Sequence, residues 1–74
     1  MWKTGKGTTN GHKYRWEVKA FGKPSEYGIE EGRISILWVA VDGEEVASYS
    51  RGWDVEPATD LAKDIVEKLL KEYN

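Results

Sequence analysis

Apolar and polar residues change places along this chain with two different periods. Through His12–Phe21 they alternate singly, with Tyr14, Trp16, Val18 and Ala20 on one side and Arg15, Glu17 and Lys19 on the other. That is the two-residue repeat of a half-buried strand. From Ala58 onward the spacing lengthens to three and four: Ala58, Leu61, Ala62, Ile65, Val66, Leu69 and Tyr73 make one stripe, and Asp60, Lys63, Asp64, Glu67, Lys68, Lys71 and Glu72 lie opposite. This predicts an amphipathic C-terminal helix. Pro57 suits its first turn, Glu56, Asp60 and Asp64 lie toward the positive end of the helix dipole, and Lys68 and Lys71 lie toward the negative end. Between these segments, Ile34–Val41 is apolar on both sides, Ile34, Ile36, Trp38 and Ala40 against Leu37, Val39 and Val41. A strand of that pattern belongs in the middle of a sheet.

Two dipeptides set the turns. Asn10-Gly11 and Asp42-Gly43 each suit a two-residue type I′ hairpin, whose twist matches that of the strands it joins. The first turn sets Thr9 against His12, Gly7 against Tyr14 and Gly5 against Trp16, so aromatic rings cover the glycines of a short edge strand, Trp2–Thr8. The second sets Val41 against Glu44, Val39 against Val46, Trp38 against Ala47 and Ile36 against Tyr49, with a more polar strand over Glu45–Arg51. The expected architecture is a single α+β domain, residues 1–74. It has an antiparallel sheet of three to four strands with one amphipathic helix packed on one face, in the order ββββα, or βββα if the first strand frays. One helix covers one face, which leaves Leu37, Val39, Val41 and Val46 in need of a second cover. The Gly22–Gly32 segment, a second copy of the chain in a homodimer, or a ligand could supply it. That segment carries Tyr27 and Ile29, and is expected either to fold back over the open sheet face or to act as a binding loop.

Composition narrows the function classes. The chain has 74 residues, 39% hydrophobic and 32% charged, with four Trp, four Tyr and one Phe, and those aromatics supply the large buried areas that so small a core needs. There is no Cys, hence no disulfide, thiolate ligand or thiol nucleophile, and the single His12 argues against a histidine metal cluster or a Ser-His-Asp triad. An exposed imidazole without a role is expected there. Thr4–Thr9 has the glycine, lysine and threonine of a phosphate loop but neither its spacing nor its strand–helix setting. The adjacent pairs Glu30-Glu31 and Glu44-Glu45 do not converge as a general acid and base. No enzyme activity, cofactor or metal is expected. No apolar run nears the roughly 18 residues of a membrane span, and no basic-then-apolar leader opens the chain, so a cytoplasmic location without membrane partners is expected.

The net charge of −2 hides a division. Up to Lys23 there are six basic residues, Lys3, Lys6, Lys13, Arg15, Lys19 and Lys23, against Glu17 alone; the remainder carries five basic and twelve acidic residues. Lys3, Lys6, Lys13, Arg15 and Lys19, with Trp2 on the side of Arg15 and Lys19, form a candidate nucleic-acid surface in which an aromatic offers a base a stacking partner. A sheet followed by a helix is also the topology of double-stranded RNA binding domains. Those carry lysines at the start of the final helix, where this chain has Glu56, Asp60 and Asp64. At the far end, Arg51, Trp53 and Asp54 can be read structurally, as a core plug, a helix cap and an ion pair, with Gly52 allowing the bend. They can also be read as an interface hot spot, together with Tyr27 and Ile29.

The stretches SEYGIEEGRISILWV (Ser25–Val39) and YSRGWD (Tyr49–Asp54), with the early Trp2, resemble a family of short uncharacterised proteins of Firmicutes-type bacteria and their phages. The resemblance implies a small stand-alone protein, with no activity or catalytic residue to carry over. The leading expectation is therefore a non-enzymatic protein-interaction module, a phage or mobile-element accessory protein that could inhibit a host defence protein, with its protein partner unidentified. The alternatives are a nucleic-acid binder using the N-terminal hairpin and a self-associating structural protein.

Overall fold

A computed structural model describes residues 1–74. The elements run β1 (Trp2–Thr9), β2 (His12–Ala20), a single 3-10 turn (Ile29–Glu31), β3 (Ile34–Val41), β4 (Glu44–Ser50), β5 (Trp53–Val55) and α1 (Asp60–Tyr73). The strands form one antiparallel meander in sequence order. The α+β class and the ββββα order hold, with a three-residue β5 added at the edge. α1, the only α-helix, is not long and apolar enough to cross a membrane.

The first hairpin has the predicted turn and register. Asn10 and Gly11 take φ of 50° and 79°, and Thr9 faces His12, Gly7 faces Tyr14 and Gly5 faces Trp16. A Cβ on Gly5 would meet the Trp16 ring at 2.5 Å, and one on Gly7 the Tyr14 hydroxyl at 2.6 Å. Trp16 in turn lies 5.4 Å from the Tyr73 ring at the end of α1. Side chains of β2 thus roof β1 on this face, and only glycine lets them lie so close.

The second hairpin departs from the expected register by one residue. Val41 faces Glu44 and Ala40 faces Glu45, but Val39 faces Ala47, Trp38 faces Ser48 and Ile36 faces Ser50, leaving Val46 unpaired in a bulge. A one-residue slip exchanges the faces of everything beyond it. Ala47 and Tyr49 therefore join Leu37 and Val39, and Ser48 and Ser50 go to the other side. A second shift, between Lys19 and Ala20, leaves Ser35 unpaired and turns Ile34 to the face opposite Ile36 and Trp38.

These two bulges bring Ile34, Ala47 and Tyr49 to the face that the helix takes. Val18, Ile34, Leu37, Val39, Ala47 and Tyr49 join Ile65, Val66 and Leu69 of α1 in one buried cluster, with Tyr14, Trp16, Val41, Val46, Trp53 and Leu61 packed against it. The expectation that Leu37, Val39, Val41 and Val46 lack a cover is corrected: α1 is their cover. The reason lies in β2, whose apolar side pairs Val18 with Leu37, Trp16 with Val39 and Tyr14 with Val41. Burying both strands together removes more apolar area from water than burying the Ile36–Trp38 side, where β2 presents Lys19 and Glu17.

The Gly22–Gly32 segment closes the end of this same core and leaves the other face open. Ile29 is 2% exposed. It is held by Asn74, whose side-chain amide donates to the Ile29 carbonyl at 3.0 Å and whose side-chain oxygen accepts from the Ile34 amide at 2.9 Å. Several local expectations also change. α1 starts at Asp60, so Pro57 and Ala58 precede it, and its cap is Thr59, whose hydroxyl accepts from the Ala62 amide at 3.1 Å. Asp54 caps nothing. At the β4–β5 turn Arg51, not Gly52, takes the left-handed conformation, with φ of 59°.

Candidate nucleic-acid interface

The face turned away from α1 is built in rows by the strand register. One row crosses Trp2, Lys19, Ile36 and Ser50. The next crosses Thr4, Glu17, Trp38 and Ser48 and ends on Val55 of β5. A third crosses Lys6, Arg15, Ala40 and Glu45. Trp38 thus stands at the centre, half-buried, with polar and charged side chains on either hand. At one corner the Lys19 ammonium lies 5.7 Å from the Trp2 ring centroid and 5.4 Å from that of Phe21. Trp2 and Phe21 are about half exposed, at 55% and 48%. Beside Trp38 a shallow depression of about 440 Å³ opens, lined by Thr4, Lys6, Arg15, Glu17 and the Gly5–Trp16 pair.

The charges on this face are not neutralised within the molecule. The one ion pair in the structure joins His12 and Asp42. Lys6, Lys13, Arg15 and Lys19 are left free, with Glu17 and Glu45 the acids set among them. Asp60, Asp64, Glu67 and Glu72 belong to α1, in the other layer. The structure separates Lys3 from the cationic set, because Lys3 pairs with Val18 and so falls on the helix side of the sheet.

The comparisons with known proteins bear on the whole chain. A family model described as a domain of unknown function (DUF7678) matches residues 1–74. The chain belongs to this family. Neither the curated proteins nor the solved structures offer a match. Membership of an uncharacterised family, as the resemblance implied, thus holds over the whole of residues 1–74.

The far end of the DUF7678 domain gathers the other candidate residues. Tyr27 is 58% exposed, and the Arg51 guanidinium lies 5.6 Å from its ring centroid. The Tyr49 hydroxyl donates to the Tyr27 carbonyl at 2.9 Å, which ties this loop to β4. Trp53 is half-buried, its ring edge-on to Tyr49 at 5.2 Å, so it plugs the core as one sequence reading expects. Ile29 is buried and offers no surface, whereas Asp54 is exposed and makes no ion pair with Arg51.

His12 is exposed but has a partner. Its Nδ1 stands 2.7 Å from Asp42 Oδ2, and the Lys13 amide donates to Asp42 Oδ1 at 3.2 Å. The contact clasps the two hairpin turns together. The hydrogen bond with His12, followed by that from the Lys13 amide, holds the Asp42 carboxyl below its ordinary range.

Trp38 and Phe21 belong to this candidate surface and were not singled out from the sequence. The signal for Trp38 was present: β2 is polar at Arg15, Glu17 and Lys19, and these lie in register with Ala40, Trp38 and Ile36. A helix seeks the side where both neighbouring strands are apolar, so Trp38 had to lie on the other.

Proposed function

We propose that this domain binds single-stranded nucleic acid on its uncovered sheet face. The observation that supports the reading is that Trp2, Phe21 and Trp38 share one open surface with four unpaired cations, Lys6, Lys13, Arg15 and Lys19. Unstacked bases lie on aromatic rings and the phosphates between them seek cations, so a sheet that interleaves the two suits an extended single strand. The acids of α1 occupy the opposite layer and leave the surface its own local charge, despite the net −2 of the chain.

Binding of short single-stranded oligonucleotides, followed by tryptophan quenching at low salt, tests this. Four cations facing phosphates give a logarithmic salt slope of about −3. Replacing Lys13, Arg15 and Lys19 by Glu abolishes the binding. Trp38→Ala weakens it about tenfold, in keeping with the loss of one stacked base. No binding at low salt, or a triple variant that binds like the parent, refutes the reading. If Trp38→Asp instead converts a measured dimer to a monomer by light scattering, the face is a self-association surface.

A second reading rests on Arg51. Its left-handed backbone and its position over Tyr27 give the far end an exposed aromatic–guanidinium pair of the kind that anchors protein interfaces. A protein-interaction module, as in a phage accessory role, would use that end. A partner captured by the parent domain and by Trp38→Ala, but lost with Tyr27→Ala and Arg51→Ala, supports it.

A further inference from the structure

The cationic face carries an acid at its centre. Glu17 lies on β2 directly between Thr4 of β1 and Trp38 of β3, and it lines the depression beside the Trp38 ring. Side chains placed directly opposite on neighbouring strands have Cβ atoms about 4.5–5.5 Å apart. A base stacked on Trp38 thus brings its edge within reach of the Glu17 carboxylate. Lys6 and Arg15 line the same depression, yet neither forms an ion pair with Glu17.

A carboxylate offers two acceptor oxygens and no donor. It repels the phosphates that Lys6 and Arg15 attract, so its favourable partner on a nucleic-acid strand is the N–H edge of a base. Guanine alone presents two adjacent donors, N1–H and N2–H, on its Watson–Crick edge, which match the two oxygens as a bidentate pair. Cytosine and adenine each offer an exocyclic amino group. Uracil and thymine flank their single N–H with two carbonyls that a carboxylate repels.

Resting on the nucleic-acid reading above, we propose that the Trp38 depression is a base-selective subsite. Trp38 supplies the stacking surface, Lys6 and Arg15 hold the flanking phosphates, and Glu17 selects guanine first, then cytosine and adenine, and rejects uracil and thymine. Glu17 is thereby the specificity-determining residue of a face whose other contacts are indifferent to sequence.

The test uses the full chain with four labelled RNA pentamers, UUGUU, UUCUU, UUAUU and UUUUU, by fluorescence anisotropy at low salt. The parent domain is expected to bind UUGUU about fivefold to tenfold more tightly than UUUUU, the low end for a bidentate base contact. Glu17→Gln, whose amide presents one acceptor and one donor, brings the four pentamers to within about twofold. It also tightens UUUUU, because a negative charge beside phosphate is gone. Thermal unfolding of the variant checks that it folds. Equal binding of the four pentamers by the parent, or an unchanged order in Glu17→Gln, overturns the selectivity and leaves the nucleic-acid reading standing. Absence of binding to every pentamer overturns both.

Discussion

Leu37 and Trp38 are consecutive residues of the same strand and meet opposite fates. Leu37 is wholly buried beneath α1, while Trp38 stands half-buried on a face with no cover, ringed by Thr4, Glu17, Lys6 and Arg15. The strand is apolar on both sides. What separates the two faces is the neighbour: β2 supplies Val18 and Trp16 to one and Lys19 and Glu17 to the other. One face is therefore a core and the other a surface, and substitutions on the two should fail in different assays.

The largest effect belongs to the covered face. Leu37→Ala should cost about 3 kcal/mol in chemical denaturation, the transfer and cavity cost of a buried leucine. Trp38→Ala, one residue away, should cost about 1 kcal/mol and spend most of its effect on oligonucleotide affinity. Equal destabilisation by the two would mean that the open face is structural after all. Next in size is Gly5→Ala, whose Cβ would run into the Trp16 ring. That overpacking should cost about 2 kcal/mol and loosen the Trp16–Tyr73 contact, seen as a shift in near-ultraviolet circular dichroism. Asn74→Ala should cost about 1–2 kcal/mol, because it strips the Ile34 amide of its acceptor and the Ile29 carbonyl of its donor at the end of the core.

Much of the covered face was legible in the sequence, and the reasons are local. The Asn10-Gly11 turn, the glycines under Tyr14 and Trp16 and the helical stripe from Leu61 to Tyr73 are each fixed by residues a few positions apart. The two bulges were not legible. Val46 and Ser35 look like ordinary strand positions, and only the fit between whole strands sets them aside. Each bulge exchanges faces, so a correct list of strands still put Ile34, Ala47 and Tyr49 on the wrong side. Leu37 was left without a cover because the apolar side of β2 was not set against β3. The candidate site suffered most, because it is defined by which side chains share a face. That Trp2, Lys6, Arg15 and Lys19 share a face was legible, because their hairpin has a regular register. The place of Trp38 and Phe21 on it was not, since one needed the β2–β3 register and the other lies beyond the end of its strand.

The smallest effect concerns the clasp between the two turns, which sits at the rim where the faces meet. Asp42 has its carboxyl lowered by His12 and by the Lys13 amide, so its folded value lies below its unfolded one. A carboxylate of that kind contributes stability that is fully present above its unfolded pKa and is lost as pH falls through the lowered folded value. Asp42→Asn should therefore melt slightly below the parent at neutral pH, and the gap should close as pH drops through the ordinary carboxylate range and beneath it. His12→Ala should remove the greater part of this pH dependence and leave the part owed to the Lys13 amide. Because both side chains are about half exposed, the shift in Tm should be small and should shrink with added salt. A gap that persists unchanged into acid would show that the Asp42 charge is not its source, and no gap at any pH would show that Asp42 serves only the geometry of its type I′ turn, where Asn serves nearly as well.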